Sequence, residues 1–477
     1  MKMKNFTLSL VAALTFLVAT SNAQASVQVF FNQDDTKVYV DPVRKVYRQG
    51  VDFQTMIVNE IQKATSSIEV AVQEFRLSAI AQALIEKQEQ GVQVRVIIDS
   101  RYNNTIWEAL SADQLQNSQK IDLYETDEAE RDLHAQRLYQ LRELAQLLDS
   151  GQISDKEDPL YADAIELLRN SDVVLIDDTA DGSGGNNLMH HKFVVIDNQK
   201  LILTSANFTV HDFFGIPNGN DRLGNANALF LIEDKSLTQL FLDEFNYMFG
   251  SEGLKVGEHH RPLFGLNKPH RDPKVRRLSE DMSITTQFAP TSRRLSYAES
   301  TAGLIKRSLL SAEESISAAL FVFSDQALAD AMKTVKRERG IELSVLVDRL
   351  FAYRYYSKAL DLLGLTLPRH DCQFQAGINP WSPPARRVGI PELNGDKLHH
   401  KFAVIDNRKV VFGSQNWSSS GNHNNDEFLV VIENEEVAQE FTREIERLNN
   451  LAHWGALPWV YERIEQQFEA CGLAFNH

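Results

Sequence analysis

Apolar positions fall into two signatures that recur in the same order. Residues 66–99 (SSIEVAVQEFRLSAIAQALIEKQEQGVQVRVIID) and 314–348 (ESISAALFVFSDQALADAMKTVKRERGIELSVLVD) share one pattern. Each reads as an apolar strand, an amphipathic helix and, after a glycine, a second apolar strand ending in Asp99 or Asp348. Continuous apolar strands alternating with helical spacing predict β-α-β units in mixed, largely parallel sheets flanked by helices. A second block follows in each half: LMHHKFVVIDNQKLILTSANFT at 188–209 and KLHHKFAVIDNRKVVFGSQNWS at 397–418. Each continues to a matched third strand, NANALFLIE at 225–233 and NDEFLVVIE at 425–433. The chain therefore reads as two duplicated α/β lobes, 26–265 and 286–477, related by a pseudo-twofold. They are joined by a linker at 266–285 whose centre, NKPHRDPKVRR, is rich in proline and arginine.

The halves differ by insertions. Residues 122–172 hold 14 acidic and 5 basic residues, with Leu138, Leu141, Leu144 and Leu148 at helical spacing. That composition predicts a solvated helical excursion with one packed face. A shorter insertion at 211–224 places Phe213 and Phe214 beside the second block.

Charge and the termini narrow the picture. Across 477 residues, 49 Lys and Arg stand against 65 Asp and Glu, a net charge of −16. A chain that coats nucleic acid by its overall field carries the opposite sign, so an anionic substrate must meet a confined positive patch. Lys2 and Lys4, the apolar run Leu8 to Ala19 and the small residues of Asn22-Ala23-Gln24-Ala25 predict an export signal at 1–25, cleaved after Ala25. The mature chain is then expected in the periplasm or secreted, with no membrane-spanning segment. Cys372 and Cys471, the two cysteines, are either paired or two buried thiols.

The second block carries the chemistry. Both copies contain His-x-Lys-x4-Asp: His190, Lys192 and Asp197, then His399, Lys401 and Asp406. Residues i and i+2 of a strand share a face, so each histidine projects with its lysine, whereas each aspartate falls off that face or at the strand end. Each next strand ends in Ser-x-Asn: Ser205 and Asn207, Ser414 and Asn416. If the lobes face each other, two imidazoles, two ammoniums and the amide and hydroxyl donors converge on one anion. One imidazole can attack phosphorus while the other protonates the leaving oxygen, with the lysines, serines and asparagines binding the non-bridging oxygens. His191 and His400 point to the opposite face and are expected to pack there. No metal and no cofactor is expected, because adjacent histidines cannot chelate together and the lysines repel a cation.

These residues resemble the phospholipase D superfamily, defined by His-x-Lys-x4-Asp followed by Gly/Ser-Ser-x-Asn and present twice in its two-motif members. The resemblance implies a bilobal α/β fold, one central site, a monomer with pseudo-dimeric lobes and a covalent phosphohistidine intermediate. It also points to a residue on the third strand that orients each histidine, here Asn227 and Glu427. In register, Glu427 is expected to support His399 as the acid, and Asn227 to leave His190 neutral and nucleophilic. Two substrate classes fit. One is a phospholipid at a membrane surface, hydrolysed or transferred at its headgroup phosphodiester, with Phe208, Phe213, Phe214 and Trp417 either meeting lipid or packing the turns. The other is DNA or RNA, cut by a nonspecific nuclease that uses the basic residues of 255–277. A non-enzymatic phosphate-binding module requires a broken constellation, and both copies are intact.

Overall fold

The computed structural model describes residues 25–42, 45–105, 108, 163–185, 187–215, 222–250 and 261–474. The expected export segment and most of the acidic insertion, including its four leucines, lie outside the described residues. The N-terminal lobe is built on β1 (Ser26–Phe31), β4 (Ser67–Val72), β5 (Gln93–Ile98), β6 (Val174–Asp177), β7 (Lys192–Ile196), β8 (Lys200–Thr204) and β9 (Ala228–Glu233), after a small hairpin of β2 (Val38–Val40) and β3 (Tyr47–Gln49). The C-terminal lobe repeats the plan with β11 (Ser283–Ala289), β12 (Ser315–Leu320), β13 (Glu342–Val347), β14 (Val388–Pro391), β15 (Lys401–Ile405), β16 (Lys409–Gly413) and β17 (Glu427–Glu433). Edge strands β10 (Lys274–Arg277) and β18 (Ala452–Trp454) extend its sheet. Strand order is β1-β9-β8-β7-β4-β5-β6 in the first sheet and β10-β11-β17-β16-β15-β12-β13-β14-β18 in the second. The duplication thus extends to topology.

Both sheets are mixed, but they are not largely parallel. Parallel pairing is confined to β4-β5-β6 and β12-β13-β14, where helical crossovers return the chain in the same direction. The motif strands instead pair antiparallel: β7-β8 and β15-β16 are joined by tight turns, and β9 and β17 add beside them after longer connections. Asp197 and Asn198 have φ of 53° and 49°, and Asp406 and Asn407 have 52° and 51°. Two successive left-handed residues form the two-residue turn whose twist matches a hairpin, and Asp and Asn tolerate that conformation.

Helices Lys235–Phe249 and Glu435–Asn450 follow the third motif strands and lie in a core shared by the lobes. Phe230 packs on Phe412 and Phe441, and Phe241 on Phe428, with ring centroids 5.0–5.7 Å apart. Separate outer cores hold the β-α-β crossovers of each lobe. The segment read as a linker is built into the fold: it supplies β10, and Lys268 is buried between Glu244 and Asp426. Cys372 and Cys471 are joined as a disulfide. Among the described residues, no helix is long and apolar enough to cross a membrane.

Candidate active site

Two isolated bridges stitch the lobes together where the second blocks meet. Met189 pairs with Asp426, and Leu398 pairs with Ala226. In register, Met189 matches Leu398 and Asp426 matches Ala226, so the bridges are exchanged by the pseudo-twofold. The His190 N–H donates to the Asp426 carbonyl at 2.9 Å, and the Ala226 N–H to the Lys397 carbonyl at 2.8 Å. Each histidine therefore sits against the third strand of the opposite lobe.

That crossing corrects the expected pairing. Glu427 holds His190, not His399: Nδ1 lies 2.7 Å from its carboxylate. Asn227 holds His399, accepting from Nδ1 at 3.0 Å. An acceptor at Nδ1 fixes the proton there and leaves Nε2 with its lone pair. Within one lobe the third strand lies two strands from its own histidine, so only the partner lobe can reach. Register within a repeat could not show this.

The serines are also reassigned. Ser205 Oγ donates to Asn227 at 2.8 Å and Ser414 Oγ to Glu427 at 2.6 Å. Each also accepts from the backbone N–H following the group it holds, Ala228 or Phe428. They orient the orienting residues, and their hydrogens are not aimed at a phosphate.

Asp197 and Asp406 do not join the histidines. Five strand steps of ~3.3 Å carry each about 16 Å from its lysine. Asp197 accepts from the backbone N–H groups of Thr65, Ser66 and Ser67, and Asp406 from those of Glu313, Glu314 and Ser315. Partial burial opposes ionisation, but these donors outweigh it and hold Asp197 down to about 2. They pin the start of β4 and β12 to the hairpin turns, which is structural work.

The lysines stay at the centre, both buried. Lys192 Nζ donates to the His190 carbonyl at 2.9 Å and to Gln73 at 3.4 Å; Lys401 Nζ donates to the His399 carbonyl at 2.7 Å. Burial and the neighbouring Lys192 push the Lys401 ammonium well below its ordinary value. Burial, opposed by Glu427 and reinforced by Lys192, lowers His190 to about 4. Burial and the three lysines Lys401, Lys192 and Lys397 take His399 well below its usual value. Burial thus favours the neutral form of both imidazoles. Against its own burial, Glu427 is held below its ordinary value by the hydrogen-bonded His190 ring, by Lys192 and by the Ser414 hydroxyl. Asn207 and Asn416 each keep a buried amide oxygen without a hydrogen-bond partner, and a half-turn of either amide presents its NH2 group instead.

Several contributors were not legible in the sequence. Asp99 accepts from the Met189 N–H at 2.9 Å and Asp348 from the Leu398 N–H at 2.8 Å, fixing the residue before each histidine. Burial pushes these carboxyls up, to about 8 and about 6. Their repetition at the end of β5 and β13 was the available signal. Phe321 stacks edge-on to His399 at 4.7 Å and lies under Lys401 at 5.0 Å, where the first lobe has Gln73. Phe208, Phe213, Phe214 and Trp417 are buried packing residues; Phe208 meets Phe75 and Trp417 meets Phe323. His191 and His400 are buried on the far face and carry an unexpected partner each, Glu244 at 2.9 Å and Glu444 at 2.8 Å.

Comparison with known proteins places this geometry in context. The family described as "Cardiolipin synthase, PLD-like domain" matches residues 57–249 and 305–449. Mitochondrial cardiolipin hydrolase of Canis lupus familiaris is 28% identical over 157 residues, covering 32% of this chain and 52% of that protein. Phospholipase D of Rickettsia felis is 29% identical over 130 residues, covering 27% of this chain and 54% of that protein. The chain thus spans about half the length of the curated relatives it matches. Among solved structures, phosphatidylserine synthase of Haemophilus influenzae aligns over 88% of this chain and 91% of its own, with TM-score 0.50 and 11% identity. That likeness concerns the fold alone.

Proposed function

This chain belongs to the cardiolipin synthase, PLD-like domain family, and on that premise we propose that it is a phospholipase D-type phosphodiesterase acting on the headgroup phosphodiester of phospholipids. The observation that carries the reading is the convergence of buried Lys192 and Lys401 with two imidazoles, each anchored at Nδ1. Two buried lysines beside two imidazoles suit an anion, and a phosphodiester offers two non-bridging oxygens.

His190 is the nucleophile. Its Nε2 bonds to phosphorus as the bond to the leaving oxygen breaks, and the ring becomes cationic. The Glu427 carboxylate at Nδ1 stabilises that charge, which an amide cannot do. His399, made imidazolium when the anionic substrate binds, gives its Nε2 proton to the leaving oxygen. Now neutral, it takes a proton from water as that water's oxygen attacks phosphorus and the phosphorus–His190 bond breaks. The amide of Asn227 holds the His399 ring without trapping its proton. The same roles are therefore proposed for a reason opposite to the one register suggested. Lys192, Lys401, Asn207 and Asn416 bind the non-bridging oxygens throughout.

The names of the relatives and the acidic net charge favour lipid over nucleic acid. The basic stretch that favoured nucleic acid is partly spent, since Lys268 and Arg271 are both engaged by buried Glu244. We place the protein outside the cytoplasm, on the expected export signal and on the Cys372–Cys471 disulfide, which suits an oxidising compartment. The test offers phosphatidylcholine and cardiolipin vesicles and plasmid DNA in parallel, with EDTA present. Phosphatidic acid or a free headgroup with intact plasmid is the expected result; nicked plasmid with intact lipid overturns the lipid reading.

A further inference from the structure

The orienting groups are unequal, and the structure shows where the missing charge has gone. Glu427 gives His190 a carboxylate; Asn227 gives His399 an amide. A second acidic side chain, however, reaches the same edge of His399. Asp212 Oδ1 lies 3.7 Å from His399 Nδ1, beyond a hydrogen bond but within ion-pair range.

We propose that Asp212 is a positioning residue for His399, supplying from the short helix Val210–Phe213 the carboxylate that Asn227 does not. This rests on the reading of His399 as the acid and base of the reaction.

Three observations carry it. First, Asp212 is buried and held in one place: its carboxylate accepts from Asn225 Nδ2 at 2.6 Å and from the Asn207 N–H at 2.7 Å. Its own carbonyl accepts from Nδ2 of Asn227, the amide that holds the ring, at 3.3 Å. Asp212 is therefore joined through its main-chain carbonyl to the amide that holds the imidazole. Second, the arrangement exists in only one half. Five residues past the motif asparagine, the C-terminal copy has Gly421 where the N-terminal copy has Asp212. A Cβ at Gly421 would stand 2.5 Å from the Asn416 carbonyl, so that half has no room for a side chain. Each half thus holds one carboxylate near the partner lobe's histidine, from the third strand in one and from the post-motif turn in the other. Third, the surroundings require it. Burial and then Lys401, Lys192 and Lys397 oppose protonation of His399, while the Glu427 carboxylate is bonded to His190. Burial raises the Asp212 carboxyl, and its bonds from Asn225 and Asn207 and the nearby Lys397 and Lys401 oppose that rise. In its ionised form, at 3.7 Å, it favours the imidazolium without gripping the Nδ1 proton, which suits a group that must both give up and regain a proton at Nε2.

The experiment uses the full chain with Asp212→Asn and Asp212→Asn/Asn227→Asp. Substrates are a phosphodiester with an alkyl alcohol leaving group and a nitrophenyl phosphodiester, whose leaving group departs without a proton. Asp212→Asn is expected to lower kcat/KM on the alkyl substrate by at least tenfold, with the nitrophenol burst rate changed less than twofold. Moving the carboxylate to position 227 should restore most of the loss. Equal losses on both substrates without recovery in the double variant, or no loss at all, would overturn the proposal. A readout independent of turnover separates it from the reading beneath it. With inorganic phosphate bound, the His399 ring, followed by its nitrogen NMR shifts, should titrate about one pH unit lower in Asp212→Asn. If neither ester is turned over by the parent chain, the proposed function fails; an unshifted titration fails Asp212 alone.

Discussion

The half of the site around His190 and the half around His399 share a backbone and differ in what touches the ring. In both, an aspartate at a strand end fixes the residue before the histidine, a lysine two places on donates back to its carbonyl, and a serine holds the orienting group. Around His190 the variable places carry Glu427 and Gln73, a charged acceptor at the ring and a polar contact at the lysine. Around His399 they carry Asn227 and Phe321, a neutral acceptor and an aromatic ring under both the imidazole and the ammonium. The symmetric parts set geometry and the asymmetric parts set proton affinity. On the proposed mechanism, one histidine is equipped to carry a positive charge while bonded to phosphorus, the other to exchange a proton.

The sharpest way to break this contrast is to delete each ring. His190→Ala should abolish turnover of every phosphodiester, because no leaving group replaces a nucleophile. His399→Ala should lose alkyl substrates yet release a burst of nitrophenol close to enzyme concentration, then stall with phosphate on His190. Equal loss for both variants on both substrates, with no burst, would end the division of roles. Next in size are the lysines: Lys192→Ala and Lys401→Ala should each cost on the order of 10²-fold in kcat, read by steady-state kinetics. Independent half-sites would instead retain about half the activity. Glu427→Gln gives both rings an amide acceptor at Nδ1 and should cost about tenfold, the difference between a charge-assisted and a neutral hydrogen bond. Its pH profile gives a second check. Burial, partly offset by Glu427, puts His190 near 4, so kcat/KM should fall as pH drops through about 4 and the ring takes a proton. Removing the carboxylate should move that limb to lower pH. The smallest effect on chemistry belongs to Asp197→Ala, with kcat unchanged and stability at neutral pH reduced by about 1–3 kcal/mol in denaturant titrations. Because the folded-state carboxyl is depressed to about 2, its contribution is complete above the ordinary Asp value and fades as pH falls toward 2. The variant and parent should therefore converge in acid.

The duplication was legible because it is written in local order: strand periodicity, motif spacing and third-strand register need no knowledge of the other lobe. The convergence of His190, Lys192, His399 and Lys401 followed from it. What escaped was whatever depends on contact between distant segments. Glu427 and Asn227 were recognised as orienting residues but given to the wrong rings, since the partner of each lies on the opposite lobe. Asp197 and Asp406 sit within the motif yet serve backbone donors at 65–67 and 313–315. The sheets proved mostly antiparallel because tight Asp-Asn turns, more local than the crossovers, decide how the motif strands pair. Asp212 lay in a stretch noted for its phenylalanines, and its proximity to a ring 187 positions away has no trace in spacing.

Crossed orientation of the rings has an evolutionary corollary. In an assembly of two identical chains, every substitution appears twice, so an amide at one ring means an amide at both. Tethering the copies through residues 266–285 lifts that constraint, and drift can act on one ring at a time. It also makes the copies mutually accountable: a change in the third strand of either lobe is felt by the histidine of the other, so neither copy can decay unnoticed. Specialisation of the two rings is thus a freedom available to two copies in one chain and denied to an assembly of two identical chains.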